Sequence, residues 1–417
     1  MSNQPTPSSI ADTLVDFEFA IYNDGLQREL FADTTPVEIT MVESLLTPGL
    51  QTSVKFHNFK KTDNVKFLDK LKNVVADIKI RRPILSLINH PTEMNITQRI
   101  YRLEKRRMLD INNEEYILQL CDQTLLTDAE NLVSWSWKCS TPTQITSEVL
   151  RRCAKAKLGI MEGSYPARDY FADNIHPFQV VTQQEDVALA PGDDPSFVHF
   201  MTYEGMRAGS GDPRGLHHFR SLKRMAQQEP SYIFAVAEIG YDGKYSSMGV
   251  FGGKKTFTIM EHSFPADFDL LSDILNGVGG GGKSVLIFRP ADKVISLLGN
   301  KGGPCGVGAQ DLSEAFSNAN NPSLEGCPTD VEKHLLKRQA RMNLLSENDV
   351  ALRITVPWMT NLHVGQTIEI KIPHPSGEEN YGSGKYLIAS LVHNIRTGGY
   401  STITMDCVSE SVSRGEL

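Results

Sequence analysis

Between Thr402 and Cys407 polar and apolar residues alternate without a break: Ile403, Met405 and Cys407 fall on one side, Thr402, Thr404 and Asp406 on the other. Successive side chains of a strand point to opposite faces, so this pattern predicts one buried and one wetted face. Four strands are predicted in this region, at 351–357, 366–373, 385–395 and 400–408, with Thr397-Gly398-Gly399 as a tight turn before the last. They predict a small antiparallel barrel or sandwich.

Similar patterning opens the chain. Residues 37–58 read as two β runs around Thr47-Pro48-Gly49, where proline fixes φ and glycine accepts positive φ. Residues 98–109 and 115–122 predict a second hairpin through Asp110-Ile111-Asn112-Asn113. This hairpin echoes the C-terminal one. Tyr101 and Tyr116 stand fifteen residues apart, Tyr386 and Tyr400 fourteen, and the two end on Cys121-Asp122 and Asp406-Cys407. The echo points to two β domains of one type enclosing a mixed middle.

In that middle, Thr141-Pro142-Thr143 supplies a helix start, Ile145, Val149, Cys153 and Ala156 recur at helical spacing, and Gly159 is the predicted stop. Arg151, Arg152, Lys155 and Lys157 read as a solvated face near the negative end of the helix dipole. Strands are predicted at 197–203, 216–222 and 231–239, with a glycine-rich loop at 205–215. Residues 299–330, rich in Gly, Asn and Pro, predict an exposed loop, and 331–345 an amphipathic helix built on Val331, Leu335, Leu336, Gln339 and Met342.

The chain has 417 residues, enough for two to four domains. Hydrophobic residues at 40% and charged residues at 22% exclude a largely disordered, collagen-like or membrane-embedded chain. A net charge of −8 repels a phosphate backbone and argues against a DNA-coating role. No apolar run reaches the roughly 18 to 20 residues of a membrane helix, so no membrane insertion is expected. The polar arm 1–14 lacks the basic and apolar regions of a secretory signal, so folding in a cytoplasm is expected. Cys121, Cys139, Cys153, Cys305, Cys327 and Cys407 are too sparse for a disulfide framework and contain no C-x-x-C pair; they read as thiols in a reducing compartment.

Candidate chemistry is sparse. Gly277-Val278-Gly279-Gly280-Gly281-Gly282-Lys283-Ser284 fits the phosphate-loop consensus. That loop works by leaving a strand and opening a helix, so that its amides and the helix dipole converge on phosphate. Here the predicted order is reversed: a helix at 267–275, then a strand at 285–288 ended by Arg289-Pro290. His199, His217 and His218 could suggest a metal site, but adjacent strand residues face apart and no further ligand spacing supports one. There is no G-x-S-x-G nucleophile elbow, and the many acids single out no pair for glycoside hydrolysis. Catalytic, cofactor-binding and metal-ligating residues are all read as none.

Several segments together resemble a family. Phe197-Val198-His199-Phe200-Met201-Thr202-Tyr203-Glu204-Gly205 with Gly215-Leu216-His217-His218-Phe219-Arg220-Ser221-Leu222 is similar to the paired β motif of baseplate hub proteins from contractile-tailed bacteriophages. So is the closing block: 344–357, Leu362-His363-Val364-Gly365-Gln366, Gly384-Lys385-Tyr386-Leu387-Ile388-Ala389 and the last hairpin. Val42-Glu43-Ser44-Leu45 through Phe56-His57 resembles the family's first barrel. The Gly-rich 277–282 stretch and the 299–330 loop match nothing in the family pattern.

The resemblance implies an α+β, mainly β fold with two tail-tube-like antiparallel β-barrel domains and smaller mixed α/β peripheral domains. The implied division is an arm at 1–14, a first tube-like domain at 15–130, a mixed domain at 131–225, a second tube-like domain from 226–250 with 335–413, and a Gly-rich peripheral domain at 251–334. It implies a non-enzymatic virion protein: a homotrimeric hub presenting six similar barrels, partnered by the cell-puncturing spike, the tail tube or tube initiator and the baseplate wedges. DNA would pass its lumen without specific binding, and no cofactor is implied. The hub portion of a bacterial secretion spike is the nearest alternative; such proteins fuse hub and spike, whereas this sequence ends at Leu417 with no β-helical repeat, which favours a separate spike. A P-loop nucleotide-binding enzyme and a wall hydrolase are the alternatives from another class.

Overall fold

The structure is a computed structural model that describes residues 15–23, 35–58, 74–81, 93–109, 114–206, 214–236, 248–251, 254–264, 284–289, 294–299, 352–372, 382–397 and 400–409. The arm 1–14, the glycine loop 277–283 and the expected elements at 267–275, 299–330 and 331–345 lie outside or almost wholly outside these residues.

Six strands build the N-terminal half: β1 (Asp16–Asn23), β2 (Thr35–Ser44), β3 (Gln51–Asn58), β4 (Val74–Arg81), β5 (Glu93–Met108) and β6 (Glu114–Cys121), all antiparallel in the order β1-β4-β5-β6-β3-β2. Residues of β4, β6 and the first part of β5 alternate between buried and half-buried, as strand geometry requires; β6 buries Tyr116, Leu118 and Leu120 in succession. The middle follows with α1 (Gln123–Glu130), β7 (Ser136–Ser140), α2 (Pro142–Arg152), β8 (Lys157–Met161), β9 (Arg168–Phe171), α3 (Pro177–Glu185), β10 (Phe197–Thr202), β11 (Leu216–Ser221) and the short α4 (Leu222–Ala226). Last come β12 (Tyr232–Val236), β13 (Met248–Phe251), β14 (Lys254–Ile259), β15 (Glu261–Ser263), β16 (Ser284–Arg289), β17 (Val294–Gly299), β18 (Leu352–Pro357), β19 (Thr367–Lys371), β20 (Gly384–Arg396) and β21 (Thr402–Val408).

Fourteen strands belong to one sheet, because β2 pairs antiparallel with β20 from Glu38↔Arg396 to Ser44↔Ser390. Beyond β20 the path runs through β19, β12, β14 and β13, with β12 parallel to both its neighbours, while β21, β18 and β15 branch from β20's other ladder. The protein is thus mainly β in the α+β class, but the described ladders close no barrel. The expected small C-terminal barrel or sandwich is instead part of a branched sheet: β20 lends a ladder to β2, which ties the two ends of the chain edge to edge. The branch ends meet at Met260, between β14 and β15, whose N–H donates to the Thr355 carbonyl on β18. β14 and β15 therefore sit in the large sheet, although the boundary expected at 250 places them outside it.

One apolar core follows from this continuity, running from Val15 through Ile39, Phe56, Leu118, Trp358 and Ile370 to Val408. The middle region adds two smaller cores, one around Phe197, Phe219 and Phe178, the other around Trp137, Ile145 and Val180. All six residues of β10 are buried, with Phe197 in a small core and Val198, Phe200 and Met201 in the large one. β10 is what plugs the middle region into the sheet.

α2 starts where the sequence predicts. Thr141 Oγ1 accepts from the Gln144 N–H and Gln144 Oε1 accepts from the Thr141 N–H, a reciprocal cap behind Pro142. It ends earlier than predicted, at Arg152, and Gly159 is no helix stop: it lies in β8, where an added Cβ would run into the His218 ring. The tyrosine echo also dissolves. Tyr116 and Tyr386 are buried, whereas Tyr101 and Tyr400 are about half exposed, so the buried ring is the second of one pair and the first of the other. The cause at Tyr101 is a bulge between Ile100 and Arg102 that skips it in the β5–β6 ladder.

Candidate functional site: a buried carboxylate at the sheet seam

On β2, Ile39, Met41, Glu43 and Leu45 share the buried phase, so the backbone alternation that packs the core also carries a carboxylate into it; Glu43 is 1% exposed. Its Oε1 accepts from the Tyr203 backbone N–H at 2.8 Å and from His363 Nδ1–H at 3.1 Å, and its Oε2 from the Val364 backbone N–H at 3.0 Å. A carboxylate is acceptor-only, and these donors come from two separate parts of the chain, the turn after β10 and the 361–366 loop before β19, meeting on β2. Burial by itself would push the Glu43 carboxyl up, but the His363 charge and hydrogen bond, His393 and the Tyr203 amide together hold it below the ordinary value.

His393 on β20 faces the same junction. It is fully buried, both ring nitrogens lack a hydrogen-bond partner, and its ring lies edge-on to Tyr203 at 6.1 Å and tilted to Trp358 at 6.4 Å. Burial pulls its pKa down to about 4, against the raising effect of Glu43. Tyr203 adds a second tie across the seam region, its hydroxyl donating to the Gln51 carbonyl at 3.0 Å. Chemically this arrangement is a staple: a buried carboxylate that accepts three hydrogen bonds and ties two distant segments to β2.

The three histidines singled out in the sequence are core residues on two faces of the β10–β11 pair. His199 Nε2 lies 3.0 Å from His217 Nδ1, and His217 Nε2 lies 3.1 Å from Thr124 Oγ1, whose hydroxyl donates to Asp122. Asp122 therefore orders the chain, with each group donating toward it. His218 points the other way, stacked on Phe200 at 5.1 Å, its Nδ1 accepting from the Ile160 N–H and its Nε2 beside Thr202 Oγ1. Burial lowers all three, His199 to about 3, His218 to about 4 and His217 well below its usual value, so they are neutral and paired. No group of three metal-binding side chains exists among the described residues.

The glycine run before Lys283 lies outside the described residues, but Ser284 opens β16, which pairs antiparallel with β17. A strand thus follows the lysine where a phosphate loop needs a helix. Arg151, Arg152 and Lys155 are exposed, as expected of a solvated face. No helix among the described residues is long and apolar enough to cross a membrane. Sequence reasoning missed Glu43 and His393. The signal for Glu43 was present, an acid in phase with Ile39, Met41 and Leu45.

No family model and no curated protein sequence matches the chain. Among solved structures it superposes on the tail protein from Neisseria meningitidis MC58 with a TM-score of 0.53 at 9% identity, covering 95% of this chain and 97% of that one. The 43 kDa tail protein of prophage MuSo2 from Shewanella oneidensis gives 0.52 at 10% identity, covering 94% and 98%. A component of the E. coli type VI secretion system gives 0.45 at 10% identity, covering 94% and 77%. Over nearly the whole length of each chain, this protein has the fold of the two tail proteins.

Proposed function

We propose that the chain is a structural virion protein, the central hub of a contractile tail baseplate. The observation that carries this reading is the shared fold with the two tail proteins along almost the full chain. In this reading the β1–β6 half and the β12/β18–β21 half are two tube-like β units, the middle region 131–225 packs beside them, and three copies present six such units. A homotrimer of that kind joins a sixfold tail tube to a threefold spike, with baseplate wedges around it and DNA passing along the axis. The edge-to-edge seam between β2 and β20 supports the reading, because it holds the two units of one copy side by side in a single sheet. Glu43 and its donors fix that geometry and catalyse nothing.

Light scattering on the purified chain behind a sizing column tests the proposal. The expected particle has three times the 46.3 kDa chain mass, formed alone or on adding the spike protein. A dimer, a tetramer, or a chain that stays monomeric with the spike present overturns it.

A further inference from the structure

We propose that a cavity beside Arg220 and Arg224 binds a side-chain carboxylate from an acidic peptide segment of a partner protein. The inference stands on the cavity itself and is independent of the hub reading. The space, about 360 Å³, opens where β8 runs parallel to β11 and α4 begins. Arg220 lines it while only 9% exposed, and its Nε has no hydrogen-bond partner. Among the described residues neither Arg220 nor Arg224 forms a side-chain hydrogen bond or an ion pair. An arginine drawn this far from water without a partner is unfavourable in the free protein, and the guanidinium stays charged regardless.

The neighbouring acid does not fill that role. Glu162 is turned toward Ser221, accepting from its N–H at 2.8 Å and its Oγ–H at 2.9 Å, and forms no ion pair with Arg220. Glu162 still acts on Arg220 through space, as Glu204 does more weakly. The charges lining the cavity, Arg220, Arg224 and Glu162, sum to one positive charge. A single carboxylate balances that sum and matches the forked donors of a guanidinium, whereas a phosphate dianion overshoots it. Part of the lining is apolar, made by Met161, Pro191 and the half-exposed Ile160. A glutamate flanked by an aliphatic residue fits both parts of the lining; a bare inorganic anion uses only one.

Gly163 gives a way to close the space without touching the charges, since a Cβ added there meets nothing within 4 Å. The experiment titrates the full chain with acetyl-Leu-Glu-Leu-amide, with its glutamine analogue and with inorganic phosphate, by calorimetry at low salt. The glutamate peptide is expected to bind saturably and at least about tenfold more tightly than either comparison. Arg220→Met and Gly163→Leu should each abolish that binding, and Arg220→Met should melt no lower than the parent, having lost an unpaired buried charge. Equal affinity for the glutamine peptide would mean an apolar cleft only. Tighter phosphate would assign the cavity to a free anion. Binding that survives in Gly163→Leu, or no saturable binding at all, would overturn the proposal even if Arg220→Met failed to fold.

Discussion

Two carboxylate–histidine pairs sit at opposite depths of the same sheet. Glu115 on β6 meets His57 on β3 at 2.9 Å, and Glu43 on β2 meets His363 at 3.1 Å. The closer pair is the weaker one. Glu115 and His57 keep 22% and 30% of their side chains in water, and Lys55 shares the carboxylate at 3.1 Å, so water and the lysine replace whatever is lost. Glu43 and His363 are 0% and 2% exposed, and two backbone amides have no other acceptor in view. What separates the pairs is the number of donors left stranded when the acid is removed, and that follows from depth rather than distance.

The largest test of this contrast is Glu43→Ala, expected to destabilise the fold by about 3–5 kcal/mol because it orphans buried donors. Urea unfolding measures it, and a loss below about 1 kcal/mol would erase the distinction between the two sites. Next in size is acid sensitivity. His393 and His218 have folded pKa values of about 4 and His199 about 3, against about 6.5 in an unfolded chain. Below about pH 6.5 the unfolded chain binds more protons, so stability falls as pH drops from there toward 4, by up to about 3 kcal/mol per histidine. Glu43 adds in the same direction: its carboxyl is lowered in the fold, so its contribution holds above the unfolded value and is lost as pH falls through the folded one. His393→Phe, which keeps an aromatic ring between Tyr203 and Trp358, should shallow the slope between pH 6.5 and 4.5; an unchanged slope would remove His393 from the account. The smallest expected effect is Glu115→Ala, under about 1 kcal/mol in the same urea assay and smaller still at high salt.

Local structure was legible where one face is wet. Period-two alternation located β21, the order of strand, Asn-rich turn and strand located β6, Pro48-Gly49 located the turn between β2 and β3, and Thr141-Pro142-Thr143 located the start of α2. That His217 and His218 face apart was legible too, since neighbours on a strand point to opposite faces. Pairing was not legible. Nothing in β2 names β20 as its neighbour, and nothing in β12 announces parallel partners, because alternation encodes faces and not edges. The same gap produced two barrels where the structure has one branched sheet. Gly159 was misread because a glycine that makes room for a ring looks, in sequence, like a glycine that ends a helix. That Arg220 has no side-chain partner among the described residues could not be foreseen either; it depends on Glu162 turning toward Ser221 instead.

The seam between β2 and β20 also sets a timetable. Glu38 and Arg396 are ion-paired at 2.9 Å across it, yet stand 358 residues apart in the chain. A ribosome adding about 5–20 residues per second makes Glu38 roughly twenty seconds to a minute before its partner exists. Through that interval the N-terminal strands can pair among themselves, but the outer edge of β2 stays open to any other strand nearby. Glu43 spends the same time without His363 and Val364, so until those donors are made water must solvate its carboxylate. Strands made late in synthesis seal one made early.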